Sequence, residues 1–454
     1  MKRSPSHLTE GPIVPALLKL AFPMMIAFGF QTSFNFVDRY FISRLGDTAT
    51  AAIGMAFVVQ LILIALGSGV GMGLNSFISR NLGAGKKETA VSAALHSFLL
   101  AVGLGVGLGI LGLLVQKPLF LFLGARGELL TGILSYLTLL FYFAPVYLLS
   151  MISNNIFRGW GDTVHPMKFM MTGTLLNIVL DPVFIFGLGP IPGMGLKGAA
   201  LATGLARTFS FLYTLLVLIL KKKPAPLPLS YFRFSGKIVR GIFQVGFPSS
   251  LAQILNGITL MLVYFILKRF GTEPKTAYTI AYTYEVVVFL PVMGLAQAMA
   301  IMVGHNYGSG NYSRIRQIYF AGLRFSLVVM AILSGLIVLI PRPLAAVFAR
   351  SQQVLEMTIA TLKILAPGYL FRGVFMCTIA SFQGIGLGNH QLMAMVVKMV
   401  GMLLPFAYWG AIVLGVEGVW WGIFAANALS AVVMLIWFYW LYHRRLIRGK
   451  IVTM

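Results

Sequence analysis

The stretch IVPALLKLAFPMMIAFGFQTSFNFVDRYFI, residues 13–42, decides the class of this protein. It is longer than the roughly 20 apolar residues that a helix needs to cross a bilayer. It is also far longer than the apolar core of a secretory signal, and the residues before it, Met1 to Pro12, are polar. We therefore expect a first transmembrane helix here and not a cleaved signal.

The composition of the whole chain agrees with this interpretation. Of the 454 residues 58% are hydrophobic and only 10% are charged, where a soluble domain carries about 25% charged residues. The 35 basic and 11 acidic residues leave a net charge of +24. In a membrane protein such an excess is expected in cytoplasmic loops, so it does not indicate a nucleic-acid partner. The sequence predicts an integral membrane protein that contacts the lipid bilayer.

Breaks at charges and at Gly/Pro clusters divide the chain into long apolar runs. Runs of this length favour helices over a barrel, whose strands alternate over about ten residues. We predict an all-α protein with twelve transmembrane helices, near residues 13–42, 51–78, 90–115, 128–149, 166–187, 198–220, 243–268, 277–303, 318–340, 354–376, 391–414 and 418–441.

An even number of spans places both termini on the same side of the membrane. The segments on that side are the richest in Lys and Arg: the loop from Arg80 to Lys87, the stretch from Lys221 to Arg240, and the tail from Arg444. Because basic residues accumulate in cytoplasmic loops, we expect a multi-pass protein of the cytoplasmic membrane with both termini in the cytoplasm.

The second half of the chain repeats motifs of the first half at one constant offset. The matching segments are Pro23 with Pro248, Arg44-x-Gly46 with Arg269-x-Gly271, Asn81-x-Gly83-x-Gly85 with Asn306-x-Gly308-x-Gly310, and Gly159-x-Gly161 with Gly384-x-Gly386. Such agreement predicts two pseudo-symmetric lobes of six helices each, in the same orientation.

The predicted lobes are residues 1–220 and 243–454, and the polar, proline-containing segment 221–242 joins them as a cytoplasmic linker. Two six-helix lobes related by an axis along the membrane normal are typical of secondary transporters that rock around a central substrate path. A passive channel or a scaffold is the alternative from another class.

Several other functions are excluded or disfavoured. The single Cys377 leaves no intramolecular disulfide, and the six histidines lack the spacing of metal ligands. We find no Walker motif and no nucleophile and base pair, so we expect neither an ATP-driven pump nor an enzyme. No cofactor is expected besides a coupling ion.

Three acidic residues lie inside apolar runs: Asp38, Asp181 and Glu285. An ionisable group at membrane depth is costly, so each marks a functional site by default. Helical spacing places Asp38 on one face with Gln31 and Asn35. It places Asp181 on one face with Thr174 and Asn177, and Thr203 and Arg207 follow on the next span.

These two polar faces are expected to meet at an interior pocket of the N-terminal lobe. The repeat aligns Asp38 with Val263 and Asp181 with Phe406, so the other lobe lacks both carboxylates. Two carboxylates in a site of low dielectric do not both stay ionised unless a cation lies between them. We therefore predict a site for H⁺ or Na⁺, with Pro23 as a hinge in the first span.

Glu285 leaves two alternatives open. Together with Tyr282 and neighbouring tyrosines it could hold an organic cation by charge and by cation–π contact. It could equally be paired with a basic residue inside its lobe.

Several motifs resemble the multidrug and toxic compound extrusion (MATE) family of antiporters, in order and over almost the whole chain. They are Gln31-Thr32-x-x-Asn35-x-x-Asp38, Asn81-x-Gly83-Ala84, Arg158-Gly159-x-Gly161-Asp162, Leu176-Asn177-Ile178-Val179-Leu180-Asp181-Pro182 and Gln383-Gly384-x-Gly386. The chain is most similar to the DinF-like and archaeal branch.

This resemblance implies export of amphipathic, often cationic organic compounds in exchange for H⁺ or Na⁺. It implies an amide and a hydroxyl of the cation site at Asn177 and Thr203, an aromatic residue at Tyr136, and a bending proline at Pro23. The main rival within the superfamily is a lipid-linked oligosaccharide flippase. We expect the protein to function as a monomer.

The candidate residues form three sets. Those for H⁺ or for Na⁺ are Asp38, Asn177, Asp181 and Thr203; those for the substrate path are Gln31, Asn35, Tyr136, Asn154, Thr174, Arg207, Tyr282 and Glu285; the hinge is Pro23.

Overall fold

A computed structural model of the chain describes residues 6–220 and 224–447. Almost all of these residues are helical, because a bilayer offers no water to the backbone and a helix pairs its N–H and C=O groups internally. The α-helices are α1 Ser6–Thr9, α2 Ile13–Ser43, α3 Asp47–Gly83, α4 Lys87–Phe122, α5 Gly127–Tyr142, α6 Ala144–Gly159, α7 Val164–Phe186, α8 Leu196–Leu220, α9 Gly236–Leu267, α10 Glu273–Gly308, α11 Tyr312–Leu339, α12 Pro341–Ala346, α13 Gln352–Leu365, α14 Tyr369–Ile385, α15 Gly388–Val396 and α16 Leu404–Leu441.

Short elements complete the chain. A β-hairpin between α7 and α8 pairs β1 Gly187–Leu188 with β2 Ile191–Pro192 in antiparallel register. Three single turns of 3₁₀-helix lie at Leu229–Tyr231, Lys268–Phe270 and Ala366–Gly368, and π-helical stretches lie at Val397–Leu403 and Tyr442–Ile447.

Within the described residues, ten helices are long and apolar enough to cross a membrane. The pair α5 and α6 is bent by 54° and adds an eleventh span. Most helices extend beyond the predicted spans because polar residues continue the helix past its apolar part. The predicted span 128–149 differs in another way, because the structure breaks it at Phe143 into α5 and α6, and α6 continues to Gly159.

The stretch Gly388–Arg444 supplies two spans and brings the number in the described residues to the predicted twelve. Its 57 residues would make a helix of roughly 85 Å, whereas the hydrocarbon core is about 30 Å thick. The helix is interrupted at Gly415, where φ is 65° and ψ is −139°. A Cβ atom on Gly410 would overlap the backbone of Gly418, so the two arms pack against each other as a tight hairpin.

The predicted repeat is visible in the turns between helices. At the end of α3 the amide of Lys86 donates to the carbonyl of Asn81 over 2.8 Å, and at the end of α10 the amide of Asn311 donates to the carbonyl of Asn306 over 2.9 Å. Both turns contain a glycine with a left-handed backbone, Gly85 at φ 76° and Gly310 at φ 74°. The two halves thus share the same helix ends as well as the same motifs.

The chain divides into two compact units. The N-terminal unit is Ile26–Ser250, and the C-terminal unit is Leu251–Met454 together with Met1–Met25, each within the described residues. These boundaries differ from those of the predicted lobes, and they fall inside α2 and α9.

Packing explains where the units divide. The first turns of α2 bury Leu17 and Leu20 in an apolar cluster with Leu295 of the C-terminal unit. The first turns of α9 bury Ile238 and Ile242 in a cluster with Val70 of the N-terminal unit. Each unit therefore completes its core with half of a helix that continues into the other.

We predict that Gly410→Ala destabilises the hairpin of α16 by about 1–3 kcal/mol, because the new methyl group must displace the backbone of Gly418. The matched control is Gly335→Ala in α11, where an added Cβ meets no atom within 4 Å. This control should be neutral or slightly stabilising, since Ala favours a helix by about 1 kcal/mol over Gly. Thermal unfolding of the purified protein in detergent measures both, and equal melting temperatures would contradict the close packing.

Candidate functional site

Asp181 lies on the buried face of α7 with an exposed fraction of 0%. Its Oδ1 accepts a hydrogen bond of 2.9 Å from Nδ2 of Asn177, one turn earlier. The same amide nitrogen is 3.5 Å from Oγ1 of Thr203 on α8, which packs along α7. The structure brings these three candidate residues together.

Asp38 joins this group from α2. Its carboxylate is close enough to act electrostatically on Asp181 and on Tyr136 of α5. Tyr136 is 2% exposed, and its side chain forms a hydrogen bond with Gln60 of α3. The group is thus assembled from five helices of the N-terminal unit, and both acids belong to it.

Three buried oxygen atoms of this group have no hydrogen-bond partner within the described residues: Oδ1 of Asp38, Oδ1 of Asn177 and Oδ2 of Asp181. A buried acceptor left without a donor costs about 1–3 kcal/mol, and a cation or a proton at this place would satisfy all three oxygens. We call Asp38, Asn177, Asp181 and Thr203 the cation site.

The atoms of the cation site fit Na⁺ as well as a proton. Carboxylate, amide and hydroxyl oxygens are the donors that hard cations prefer, and a carboxylate oxygen also accepts H⁺. Nδ2 of Asn177 points to Asp181 and Thr203, which leaves the amide oxygen for a cation. Over residues 6–220 and 224–447, no group of three His, Cys, Asp or Glu side chains could hold a metal ion.

Arg207 lies one turn beyond Thr203 on α8 and is held apart from the two acids. Its guanidinium donates to Oε1 of Gln31 over 3.2 Å and lies over the rings of Tyr147 and Phe34, at 5.2 and 5.5 Å from their centroids. In the part of the chain that is described, it forms no ion pair with either aspartate. Arg207 therefore does not neutralise the two acids, although the adjacent Arg39 acts electrostatically on Asp38.

The other N-terminal candidates differ in their placement. Thr174 is 4% exposed and lies one turn before Asn177. Asn154 on α6 is 6% exposed, and its Oδ1 has no hydrogen-bond partner within the described residues. Asn35, by contrast, has an exposed side chain, so its predicted place on the face of Asp38 does not bury it. Pro23 lies inside α2, two residues before the boundary between the units.

Glu285 lies in the C-terminal unit, where it is buried and forms an ion pair with Arg372 of α14. This is the second of the two arrangements left open by the sequence. Tyr282 is half-buried and close enough to act electrostatically on Arg372. The carboxylate of Glu285 is thus already satisfied by a basic side chain.

The sequence profile of the MatE family matches residues 23–183 and again residues 248–409. The chain belongs to the MATE family of membrane transporters. The two matched segments begin at Pro23 and Pro248, which are paired by the repeat. Members of this family are transporters and not enzymes, and they reside in the cell membrane.

Individual MATE relatives cover nearly the whole chain. The FAD transporter of Shewanella oneidensis is 29% identical over 90% of this chain and 91% of its own length. The multidrug export protein MepA of Staphylococcus aureus is 26% identical over 96% of each chain. A solved structure described as the outward-facing conformation of a multidrug resistance MATE family transporter has 31% identity and a TM-score of 0.93, and the match covers 98% of this chain and 99% of that one.

Sequence reasoning missed several residues of this MATE transporter that the structure places in polar clusters. Gln60 forms a hydrogen bond with Tyr136, Tyr147 packs under Arg207, and Arg372 forms an ion pair with Glu285. The repeat held a signal for them, because the same offset aligns Gln60 with Glu285 and Tyr147 with Arg372. Each of these pairs is polar in both halves of the chain, and such repeated polar positions are candidates for functional residues.

We expect Asn177→Ala to lower the free energy of unfolding by about 1–3 kcal/mol, because it removes the donor to the buried carboxylate of Asp181. Val179→Ala is the matched control on the same helix, since Val179 is 62% exposed. Thermal unfolding in detergent reports the difference. A melting temperature of Asn177→Ala equal to that of the control would mean that this hydrogen bond does not support the site.

Proposed function

We propose that this MATE transporter is a secondary antiporter that exports amphipathic organic compounds, cationic ones among them, in exchange for H⁺ or Na⁺. The observation that carries the proposal is the cation site: two acids in one buried group, with three acceptor oxygens that no described residue satisfies. The relative MepA is a multidrug export protein, which supports the direction of transport.

Coupling follows from the electrostatics of the two carboxylates. In a site of low dielectric, two negative charges repel each other strongly, so the empty pair is unstable and a proton or Na⁺ stabilises it. Asn177 holds Oδ1 of Asp181 by a hydrogen bond and so fixes which oxygen faces the ion. Each elementary charge that moves through the membrane field contributes about 2.3 kcal/mol per 100 mV, which can drive uphill export.

Helix α2 is proposed to carry this change from the site to the rest of the protein. It bears Asp38 of the cation site and, four turns earlier, Pro23. Proline lacks the N–H that would complete the helix, so bending there costs less than elsewhere. Loading the carboxylates changes the electrostatic environment at one end of α2, and Pro23 lets the other end keep its packing in the C-terminal unit.

The proposal also covers the orientation of the protein in the membrane and its oligomeric state. Both termini and the segment between α8 and α9 face the cytoplasm, in agreement with their excess of Lys and Arg. The transporter functions as a monomer in the cytoplasmic membrane. No specific observation supports the alternative function, a lipid-linked oligosaccharide flippase. The transport test below would detect it.

We predict that Asp38→Asn and Asp181→Asn each reduce gradient-driven efflux of a fluorescent organic dye by at least about tenfold, because neither variant can complete the charged pair that takes up the ion. The measurement uses proteoliposomes with an imposed H⁺ or Na⁺ gradient. The control is Glu356→Gln, which removes an exposed acid that accepts a hydrogen bond from Gln352. Full coupled efflux by both aspartate variants would refute the cation site as the coupling site.

The same proteoliposomes decide between the two ions. Dye efflux driven by a pH gradient in buffer free of Na⁺ identifies H⁺ as the coupling ion. Efflux that requires Na⁺ at equal pH on both sides identifies Na⁺. Movement of labelled lipid without efflux of any dye would support the flippase instead.

Pro23→Ala should lower the turnover of dye export by about tenfold while leaving ion binding in place, because alanine restores the helical hydrogen bond and stiffens α2. Ion binding is followed by the rise in melting temperature that the coupling ion produces. Pro15→Ala is the matched control, since Pro15 lies in the first turn of α2, where proline removes no helical hydrogen bond. A Pro23→Ala protein with normal turnover would exclude the hinge.

A further inference from the structure

A cluster of charged and aromatic side chains lies in the C-terminal unit, away from the cation site. Arg372 pairs with Glu285, and its guanidinium lies over the ring of Phe289 at 4.6 Å from the centroid. The hydroxyls of Tyr278 and Tyr282 are close enough to act electrostatically on Arg372. The side chain of Arg372 is 27% exposed, so the cluster can be reached by a ligand.

Lys398 adds a second positive charge to this cluster. It is 8% exposed and lies in the π-helical stretch Val397–Leu403. Its Nζ lies over the ring of Phe375, at 4.4 Å from the centroid. The guanidinium of Arg372 is close enough to act electrostatically on Lys398. Among the described residues it makes no hydrogen bond or ion pair, and π-helical turns often occur at functional sites.

The charges of this cluster do not balance. Counted in their charged forms, Arg372 and Lys398 are two bases against the single acid Glu285. A charged side chain buried in a membrane protein is costly unless an opposite charge compensates it. A negatively charged ligand beside Lys398 would supply that compensation.

The repeat supports a role specific to this unit. At the same offset Arg372 aligns with Tyr147, Lys398 with Gly173, and Glu285 with Gln60. None of the three charges occurs at the equivalent position of the N-terminal unit. The duplicated scaffold thus does not require them.

We propose that Arg372, Lys398 and the surrounding rings form a binding site for flat aromatic organic anions, whose carboxylate or phosphate group pairs with Lys398. Such compounds would be transport substrates, so the inference rests on the proposed function and extends its substrate class. Lys398 supplies a point charge, and Arg372, already paired with Glu285, contributes its remaining donors. Tyr282, which is half-buried, offers a face on which an aromatic ring can stack.

Equilibrium binding to the purified protein in detergent tests this site without any gradient. The probes are carboxyfluorescein, an anion, and a rhodamine dye, a cation with the same ring system, both followed by fluorescence polarisation. In Lys398→Met the ratio of carboxyfluorescein affinity to rhodamine affinity should fall by at least about tenfold, because the group that pairs with the anion is gone. Lys398→Arg should restore most of the ratio.

The matched control is Lys363→Met, which removes an exposed lysine of α13 and should bind both dyes as the wild type does. An unchanged ratio in Lys398→Met, or an equal loss of both dyes, would overturn the anion site. Because this measurement needs no coupling ion, it stands apart from the proteoliposome test with the aspartate variants. Anion binding without driven export would contradict the proposed antiport and leave the site intact.

Discussion

The free-energy cost of burying a charge inside a membrane constrains this structure more than any single contact does. The chain has only 11 acidic residues, and the few ionisable groups in its interior are each handled in a distinct way. Glu285 is neutralised by Arg372, whereas Arg207 is held by Gln31 and two aromatic rings. Asp38 and Asp181 form no ion pair among the described contacts, and the adjacent Arg39 acts on Asp38 electrostatically. In the proposed mechanism a coupling ion compensates the charge of the two acids.

Hydropathy was sufficient to predict the fold, because apolar runs of spanning length dictate helices and the repeated glycine turns dictate their grouping. The pairing of Asn177 with Asp181 and Thr203 was also predictable, since helical spacing and adjacent spans place them together. The repeat marks the positions of Gln60 and Arg372 but not their partners, because each contact joins helices distant in sequence and depends on tertiary packing. The exposure of Asn35 was not predictable either, because periodicity predicts the face of a helix but not which neighbour covers that face.

The two halves of the chain share their helix ends but differ in the charges of their interiors. The turns at Asn81 and Asn306 keep nearly the same geometry, so the helix ends have been preserved in both halves. The interior positions have diverged in charge: acids accumulate in the N-terminal unit, and bases exceed acids in the cluster of Arg372 and Lys398. The two proposed sites thus place ligands of opposite charge in the two halves of one repeated scaffold.

The boundary between the compact units inside α2 and α9 makes the two halves of the chain interdependent. The core of each unit includes the first half of a helix that begins in the other half of the chain. A chain cut between α8 and α9 would therefore leave each fragment without part of its apolar core: the N-terminal fragment would lack Ile238 and Ile242, and the C-terminal fragment would lack Leu17 and Leu20.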